Sequence, residues 1–203
     1  WRDARIGRIY EGTNEINRML SVGRLVKTAI KGHVDLLGPA SEVQAELMGI
    51  PSFETPDYSE LFAEEKEMIG KLKKAFLMVA GGAVQKYGPD LDGHQQLLMA
   101  AADILIEIYM AESTILRTEK LAKTKGEAAV KEQIAMAQLY LYKAVDIITQ
   151  KGKEGIVSFA EGDEQRMMLM GLRRYTKYTN MPNVIGLREI ITSKLVAENA
   201  YCF

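Results

Sequence analysis

The chain has 203 residues, of which 47% are hydrophobic and 26% are charged, a composition typical of a folded globular protein. Its 26 Lys and Arg nearly balance its 27 Asp and Glu, which gives no electrostatic basis for nucleic-acid binding. The single Cys202 excludes a disulfide within the chain, and no apolar run reaches the roughly 20 residues that span a bilayer.

The first 18 residues read WRDARIGRIYEGTNEINR. The spacing of Ile6, Ile9 and Tyr10 predicts the end of a helix with one buried face. We expect Gly12 to end that helix and Thr13 to cap the next one. Glu11 then lies at the junction between the two helices. The backbone N–H groups at the start of the second helix have no partner within it and suit an anionic ligand.

The pattern R-D-A-R-I-x-x-I-Y-E-G-T-x-E-I-x-R, from Arg2 to Arg18, resembles the signature of the acyl-CoA dehydrogenase family near the end of its C-terminal helical domain. The resemblance implies an FAD-dependent enzyme that dehydrogenates fatty acyl-CoA thioesters between the α and β carbons. Glu11 matches the catalytic base, which takes the α-proton while a hydride goes to flavin N5. Gly12 matches a substrate-contacting glycine. The positions that contact FAD in the family match Thr13, Asn14 and Glu15.

Beyond the signature, apolar spacing predicts helix after helix, without convincing strand alternation. We expect capping boxes at Ser41 and Asp57 and a loop at Gly152 and Gly155. The fold is therefore predicted to be all-α, an antiparallel up-and-down bundle with short connections. The predicted helices cover residues 14–37, 42–49, 58–87, 97–121, 128–149, 167–178 and 184–197.

Prolines with Ser52 and Thr55 predict a linker over residues 51–56. It would divide the end of a catalytic helical domain, residues 1–50, from an appended bundle, residues 57–203. Four features of the appended bundle follow the order seen in the family's catalytic bundle, but no Glu-Gly-Thr ends the series. The appended bundle is either a degenerate, non-catalytic duplicate or a bundle of merely similar layout. The features are Ile106-Glu107, Ala135-Met136-Ala137-Gln138-Leu139, a Gly-rich turn at Gly152 and Gly155, and Arg173-Arg174-Tyr175.

An extra C-terminal bundle is similar to the very-long-chain branch of the family, where it is associated with dimer architecture and membrane association. The resemblance further implies a homodimer and an electron-transfer flavoprotein as electron acceptor. A bacterial cytoplasm is the expected location, with the mitochondrial matrix or inner-membrane face as the alternative. The run Met167–Met170 beside Arg166, Arg173 and Arg174 fits either a membrane-contacting face or a Met-rich core stripe with solvated arginines.

His33 and His94 have no partners at metal-ligand spacing, so no metal site is expected. The family's FAD and acyl-CoA sites also require upstream domains that are not in this sequence. We therefore expect the intact protein to be an enzyme and the 203-residue fragment alone to be inactive. The alternative interpretation is a non-catalytic helical module for dimerisation or for docking to a partner or membrane.

Overall fold

The computed structural model describes residues 2–49 and 57–203, and these two ranges contain helices but no strand. The predicted all-α fold is confirmed. Two short 3₁₀ helices, Gly88–Gly93 and Glu127–Val130, join the long helices. The α-helices are α1 (Arg2–Ile6), α2 (Asn14–Ile30), α3 (Leu37–Met48), α4 (Ala63–Tyr87), α5 (Gln95–Lys125), α6 (Lys131–Phe159), α7 (Gly162–Tyr175) and α8 (Val184–Glu198).

The centre of the bundle is formed by the three long helices α4, α5 and α6, which short connections hold antiparallel. Each contributes a continuous apolar face. Leu72, Ile104 and Ile148, one from each helix, have no solvent-exposed surface. Helix α4 ends at Tyr87, the end of the predicted range 58–87, and Gly88 follows with a positive φ of 49°.

The predicted loop at Gly152 and Gly155 is wrong, because α6 continues through both residues to Phe159. Both glycines are buried at contacts with neighbouring helices. A Cβ at Gly152 would lie 2.7 Å from Leu172 Cδ1 in α7, and a Cβ at Gly155 would lie 3.1 Å from Val79 Cγ1 in α4. These positions lack side chains because the helices approach closely, and not because the chain turns there.

The start of α3 also differs from the prediction. Helix α2 ends at Ile30, and α3 begins at Leu37, so Gly38 and Pro39 lie in its first turn instead of ending the preceding helix. Proline is accepted there because first-turn N–H groups have no partner within the helix. The Ser41 hydroxyl donates to the Leu37 carbonyl at 2.9 Å, so the predicted capping box is wrong.

The second predicted capping box is wrong as well. The Asp57 carboxylate accepts from the Ser59 backbone N–H at 2.9 Å, which forms a local turn. Helix α4 begins only at Ala63, after Phe62 in the left-handed conformation. An Asp side chain that bonds its own chain two residues on competes with helix capping, which accounts for the later start.

Helices α2 and α3 pack on the long helices. Val22 of α2 and Val43 of α3 are 2% and 3% exposed and belong to the same hydrophobic cluster as the bundle core. The Glu46 carboxylate on α3 binds Lys74 Nζ on α4 at 2.6 Å and an Arg174 guanidinium nitrogen on α7 at 3.2 Å. One side chain therefore links three helices.

The predicted linker, residues 51–56, lies outside the described residues. The division of the chain into residues 1–50 and 57–203 stays a prediction. The described helices include none that is both long and apolar enough to cross a membrane. In the Met-rich run of α7, Met168 is buried in the core, whereas Met170 is 73% exposed.

Candidate functional site

The loop between α1 and α2 carries the residues singled out by the signature. Helix α1 ends at Ile6, so the prediction that Gly12 ends it is wrong. Turns follow, in which Ile9 N–H donates to the Ile6 carbonyl at 2.9 Å. Glu11 and Gly12 then adopt consecutive positive φ angles of 59° and 93°. Glu11 therefore adopts a left-handed conformation that non-glycine residues rarely accept.

Thr13 caps α2 as predicted, with its hydroxyl oxygen accepting from the Ile16 N–H at 3.4 Å. Asn17 fixes the loop from the first turn of α2, because its side-chain amide donates to the Gly12 carbonyl at 2.8 Å. The Asn14 N–H donates to the Arg8 carbonyl at 3.2 Å. These three bonds define the path of the backbone on both sides of Glu11.

Asn17 is a positioning residue that the sequence interpretation missed. A Cβ at Gly12 would lie 3.0 Å from Asn17 Oδ1, so the positive φ and this close approach both favour glycine there. The only signal in the sequence was an Asn five residues after Gly12. This spacing allows a side-chain bond to the Gly12 carbonyl, but it does not distinguish Asn17 from an ordinary surface Asn in a helix.

The five signature residues differ in exposure but lie on one short segment. Glu11, Gly12 and Glu15 are exposed, and Thr13 and Asn14 are half-buried. Among the described residues none bonds to the Glu11 carboxylate, the Asn14 amide or the Glu15 carboxylate. The Thr13 hydroxyl accepts one bond and retains its own proton for donation. The segment thus presents a free carboxylate next to a set of polar groups at a helix N-terminus.

Several large apolar side chains close to Glu11 in the chain are exposed. Ile6, Ile9 and Tyr10 are 51%, 62% and 55% exposed, so the prediction that they form a buried helix face is wrong for this chain. Ile16, on the first turn of α2, is 53% exposed. Exposed apolar groups in such density mark a surface that is normally covered.

One ion pair joins α2 to α5, and a second joins α2 to the 3₁₀ helix just before α5. Arg18 Nε lies 2.6 Å from Asp103 Oδ1 on α5, and both side chains are largely shielded. Lys27 Nζ lies 2.9 Å from Asp92 Oδ2, in the 3₁₀ helix Gly88–Gly93, in a more exposed position. The start of α2 thus lies beside α5 and its end beside the segment that precedes α5, so the two helices run antiparallel. The start of α2, and with it Glu11, is held by the Arg18–Asp103 pair.

A cavity of about 380 Å³ lies away from Glu11. Its mostly apolar lining comes from α2, α3, α4 and α7. Its α2 wall is formed by Leu25, Val26, Ala29 and Ile30, at the opposite end of the helix from the signature. A second groove of about 320 Å³ follows the seam between α2 and α5 and includes Ile16. Glu11 lines neither of these two cavities.

The described ranges contain no group of three His, Cys, Asp or Glu side chains that could hold a metal ion. His94 instead stacks on Tyr87, with ring centroids 3.6 Å apart.

A separate polar contact joins α5 and α6, where the Tyr140 hydroxyl donates to the Glu107 carboxylate at 3.0 Å. Burial and this hydrogen bond raise the pKa of Tyr140 to about 12.

The described residues thus form an all-α bundle in which the Glu11 loop directly precedes the capped start of α2. The family model described as "Acyl-CoA dehydrogenase, C-terminal domain" matches residues 71–174, slightly more than half of the chain. The chain therefore belongs to the acyl-CoA dehydrogenase family. The matched residues lie within residues 57–203 and do not include the Glu11 segment.

Two relatives match almost the whole chain. A "Probable acyl-CoA dehydrogenase" of Bacillus subtilis is 38% identical over 198 residues, which cover 98% of this chain and 33% of that protein. The crystal structure of an acyl-CoA dehydrogenase complexed with FAD, from Bacillus anthracis, is 40% identical with a TM-score of 0.91. It matches 100% of this chain, which covers 34% of that protein. The chain thus spans about a third of the length of these relatives.

Proposed function

We propose that the chain is the C-terminal portion of an FAD-dependent acyl-CoA dehydrogenase and that Glu11 is its base. The observation that carries the proposal is the loop geometry. Glu11 has a left-handed backbone conformation next to the capped start of α2, and no described residue bonds to its carboxylate. The FAD-bound relative with the same fold supports the reaction class.

In this proposal the Glu11 carboxylate accepts the α-proton of a fatty acyl-CoA thioester. The exposed Gly12, which has no side chain, allows the acyl thioester to approach the backbone. The Asn17–Gly12 bond and the Thr13 cap hold the loop so that the carboxylate is aimed before substrate arrives. FAD, when bound, supplies the hydride acceptor that no side chain provides.

The polar groups after Gly12 fit a nucleotide cofactor. Thr13 offers a hydroxyl proton, Asn14 an amide donor and acceptor, and Glu15 a carboxylate acceptor for hydroxyl groups. These side chains are grouped at one helix start and have the donor and acceptor types that FAD requires. They support the assignment of Thr13, Asn14 and Glu15 to FAD binding.

We propose that the 203-residue chain alone is inactive. Proton abstraction next to a thioester requires a base shielded from water, and Glu11 is exposed here amid exposed apolar groups. In the intact protein these groups would be covered by the two thirds of the relatives' length that this chain does not span. Tight, stoichiometric FAD binding by the 203-residue chain would contradict this part of the proposal.

We further propose that residues 57–203 are a non-catalytic duplicate of the family's catalytic bundle. The family model matches residues 71–174, within this range, which supports the idea. The Glu-Gly-Thr that would end a catalytic copy is absent, and Asn180-Met181-Pro182 stands in that region. Superposition on a catalytic bundle of the family should give the same helix order and handedness; a different order would refute the duplication.

The partners remain proposals that rest on the family resemblance. They are a fatty acyl-CoA substrate, an electron-transfer flavoprotein that accepts the electrons, and a second copy in a homodimer. The alternative function is a helical docking or dimerisation module with an idle signature. It is favoured by the uncovered apolar side chains of α8, where Ile185 and Val196 are 69% and 74% exposed.

The test uses the full-length protein and the variant Glu11→Gln, which keeps the side-chain shape but cannot take a proton. Flavin absorbance is followed after addition of acyl-CoAs of graded length. We expect the variant to retain FAD and to bleach about 10²–10⁴-fold more slowly than wild type, as for loss of a general base. The matched control is Glu42→Gln, an exposed glutamate on α3, which should bleach at the wild-type rate.

Equal bleaching rates for wild type and Glu11→Gln would refute Glu11 as the base. If FAD is bound but neither protein bleaches with any acyl-CoA, the signature has only a structural role, and the docking-module function is preferred. The acyl length that bleaches wild type fastest would identify the substrate class.

A further inference from the structure

The cavity of about 380 Å³ is bounded by α3, α4 and α7 and by the end of α2. Protein interiors are close-packed and have few voids larger than a water molecule, so a space of this size is not an ordinary packing defect. Its volume falls within the range of small-molecule sites, which is about 300–1,000 Å³. The chemistry of its walls then indicates which molecules it can bind.

Small residues on three helices create the space. Ala29 of α2, Ala40 of α3 and Gly81 of α4 all line the cavity. A Cβ at Gly81 would meet nothing closer than Ala40 Cβ at 3.5 Å, an ordinary van der Waals distance. The backbone could therefore accept a larger side chain at this position, and that side chain would take up part of the space.

Contacts between α3 and α7 close one end of the cavity. Leu47 of α3 packs so tightly against Gly171 of α7 that a Cβ on Gly171 would clash with it. The Glu46 carboxylate beside Leu47 binds an Arg174 guanidinium nitrogen at 3.2 Å and Lys74 Nζ at 2.6 Å. The closed end therefore lies beside Lys74 on α4.

The cavity is elongated along α4. Its α4 wall runs from Phe76, near the closed end, to Gln85. At 1.5 Å per residue this wall is about 14 Å long, whereas a sphere of the same volume would be only about 9 Å across. The shape thus suits a chain better than a compact ring system.

Helix α7 runs antiparallel to α4 along this wall. A Cβ on Gly171 would lie 3.0 Å from Met78 Sδ, and a Cβ on Gly82 would lie 2.9 Å from Met168 Cε. Earlier residues of α7 therefore lie beside later residues of α4. Glu164, one turn before Met168, accordingly lies towards the end of the cavity away from Leu47.

The polar residues of the lining are all exposed and therefore lie where the cavity opens to solvent. They are Ser41, Gln44, Gln85 and Glu164. Among the described residues that line the cavity, Glu164 carries the only charge, so an anionic head group would be repelled and would find no cation. The two amides and the hydroxyl both donate and accept hydrogen bonds, which matches an uncharged polar head.

We propose that this cavity binds a single-chain lipid with an uncharged head, such as a fatty alcohol. The end of the chain lies near Leu47 and Phe76, and the head lies at Gln85 and Glu164. The apolar walls offer water few hydrogen-bond partners, so they favour an aliphatic chain over water. Residues 11–15 do not line the cavity, so the inference does not depend on the proposed function.

The experiment is photolabelling of the full-length, FAD-loaded protein with a decanol that carries a diazirine at the end of its chain. Labelled peptides are identified by mass spectrometry. We expect saturable labelling, one label per chain, on the peptides that contain residues 43–47 and 76–78. Unlabelled decanol should compete for the site, whereas decanoate and decanoyl-CoA should compete about tenfold more weakly or less, because their heads are anionic.

The variant Gly81→Leu tests the location from within, because the new side chain fills part of the cavity. We expect it to lower the affinity for decanol about tenfold or more. Gly70→Leu is the matched control, with the same substitution on the same helix at a position that does not line the cavity. It should be labelled like wild type. Circular dichroism shows whether each variant is folded, and the map of labels in wild type decides the location even if Gly81→Leu does not fold.

Several results would overturn the inference. They are labelling that does not saturate, labelling at other residues, and equal labelling of wild type and folded Gly81→Leu. Absence of any label would show that another part of the protein or a second copy covers the cavity, which would also overturn it. Equal competition by decanoate or decanoyl-CoA, or tighter binding of decylamine, would overturn the uncharged head.

Flavin bleaching of the same wild-type sample by acyl-CoA separates this inference from the proposed function. Bleaching without saturable decanol labelling refutes only the lipid site. Labelling of residues 43–47 and 76–78 in a protein that binds FAD but does not bleach refutes only the enzymatic function.

Discussion

The substitution Gly152→Ala tests whether the glycines of α6 are there for helix packing. The new Cβ would lie 2.7 Å and 2.9 Å from the two methyl carbons of Leu172, a side chain that is 1% exposed. Because Leu172 is enclosed by the core, it cannot move aside without displacing its own neighbours. Overpacking of this kind costs about 1–3 kcal/mol.

Alanine also favours helix over glycine by about 0.8–1.0 kcal/mol, and this gain must be separated from the packing cost. Gly70 in the middle of α4 provides the control, because a Cβ there meets nothing within 4 Å. Gly70→Ala should stabilise the chain by that propensity alone. The difference between the two variants, about 1–3 kcal/mol in the free energy of unfolding, is then the packing cost.

The assay is chemical denaturation of the 203-residue chain, followed by far-ultraviolet circular dichroism, for wild type and both variants. We expect Gly70→Ala to unfold at a higher denaturant concentration than wild type and Gly152→Ala at a lower one. Equal stabilisation by both substitutions would refute the packing explanation, because it would show that Leu172 can shift to accept the new Cβ without loss of stability.

Two further predictions concern charge and pH. A double-mutant cycle on Arg18 and Asp103 should give a coupling energy of about 1 kcal/mol, above that of the more exposed Lys27–Asp92 pair, since exposed pairs contribute little; equal couplings would contradict it. The pKa of Tyr140 is about 12 in the folded chain and about 10 when unfolded, so its contribution to stability is complete below pH 10 and is lost between pH 10 and 12. Tyr140→Phe should therefore flatten the fall in melting temperature over that interval, and an unchanged slope would exclude this side chain as its cause.

The all-α fold follows from the sequence because the apolar spacing of the long helices reports directly on their buried faces. Helix boundaries were less predictable where a residue type that often ends or caps a helix can also serve another purpose. Gly152 reads as a helix breaker along the chain, and only the packing of Leu172 against it shows that the residue is an interhelical contact. Asp57 reads as a cap, but its carboxylate is used by the Ser59 N–H.

The candidate site was predictable only as a motif. The Thr13 cap is a local interaction and was correctly expected. The bond from Asn17 to Gly12 is local, but the spacing alone did not single it out. The pair between Arg18 and Asp103 joins residues 85 positions apart, so it depends on the folded path of the chain. The apolar spacing of Ile6 and Ile9 was also misleading, since spacing shows that a face needs cover but not whether this chain supplies it.

The left-handed backbone at Glu11 lowers the stability of the fold, whereas the Glu11 carboxylate is needed for the proposed activity. A non-glycine residue at a φ of 59° costs roughly 1–2 kcal/mol relative to the ordinary helical region, and Gly or Asn accepts that conformation more readily. Laboratory evolution that rewards only heat resistance would therefore tend to replace Glu11. Each such replacement would make the protein more robust and remove the carboxylate on which the proposed dehydrogenation depends. A screen for thermostable variants of the intact protein must therefore also measure turnover, because selection for a stable fold alone does not retain Glu11.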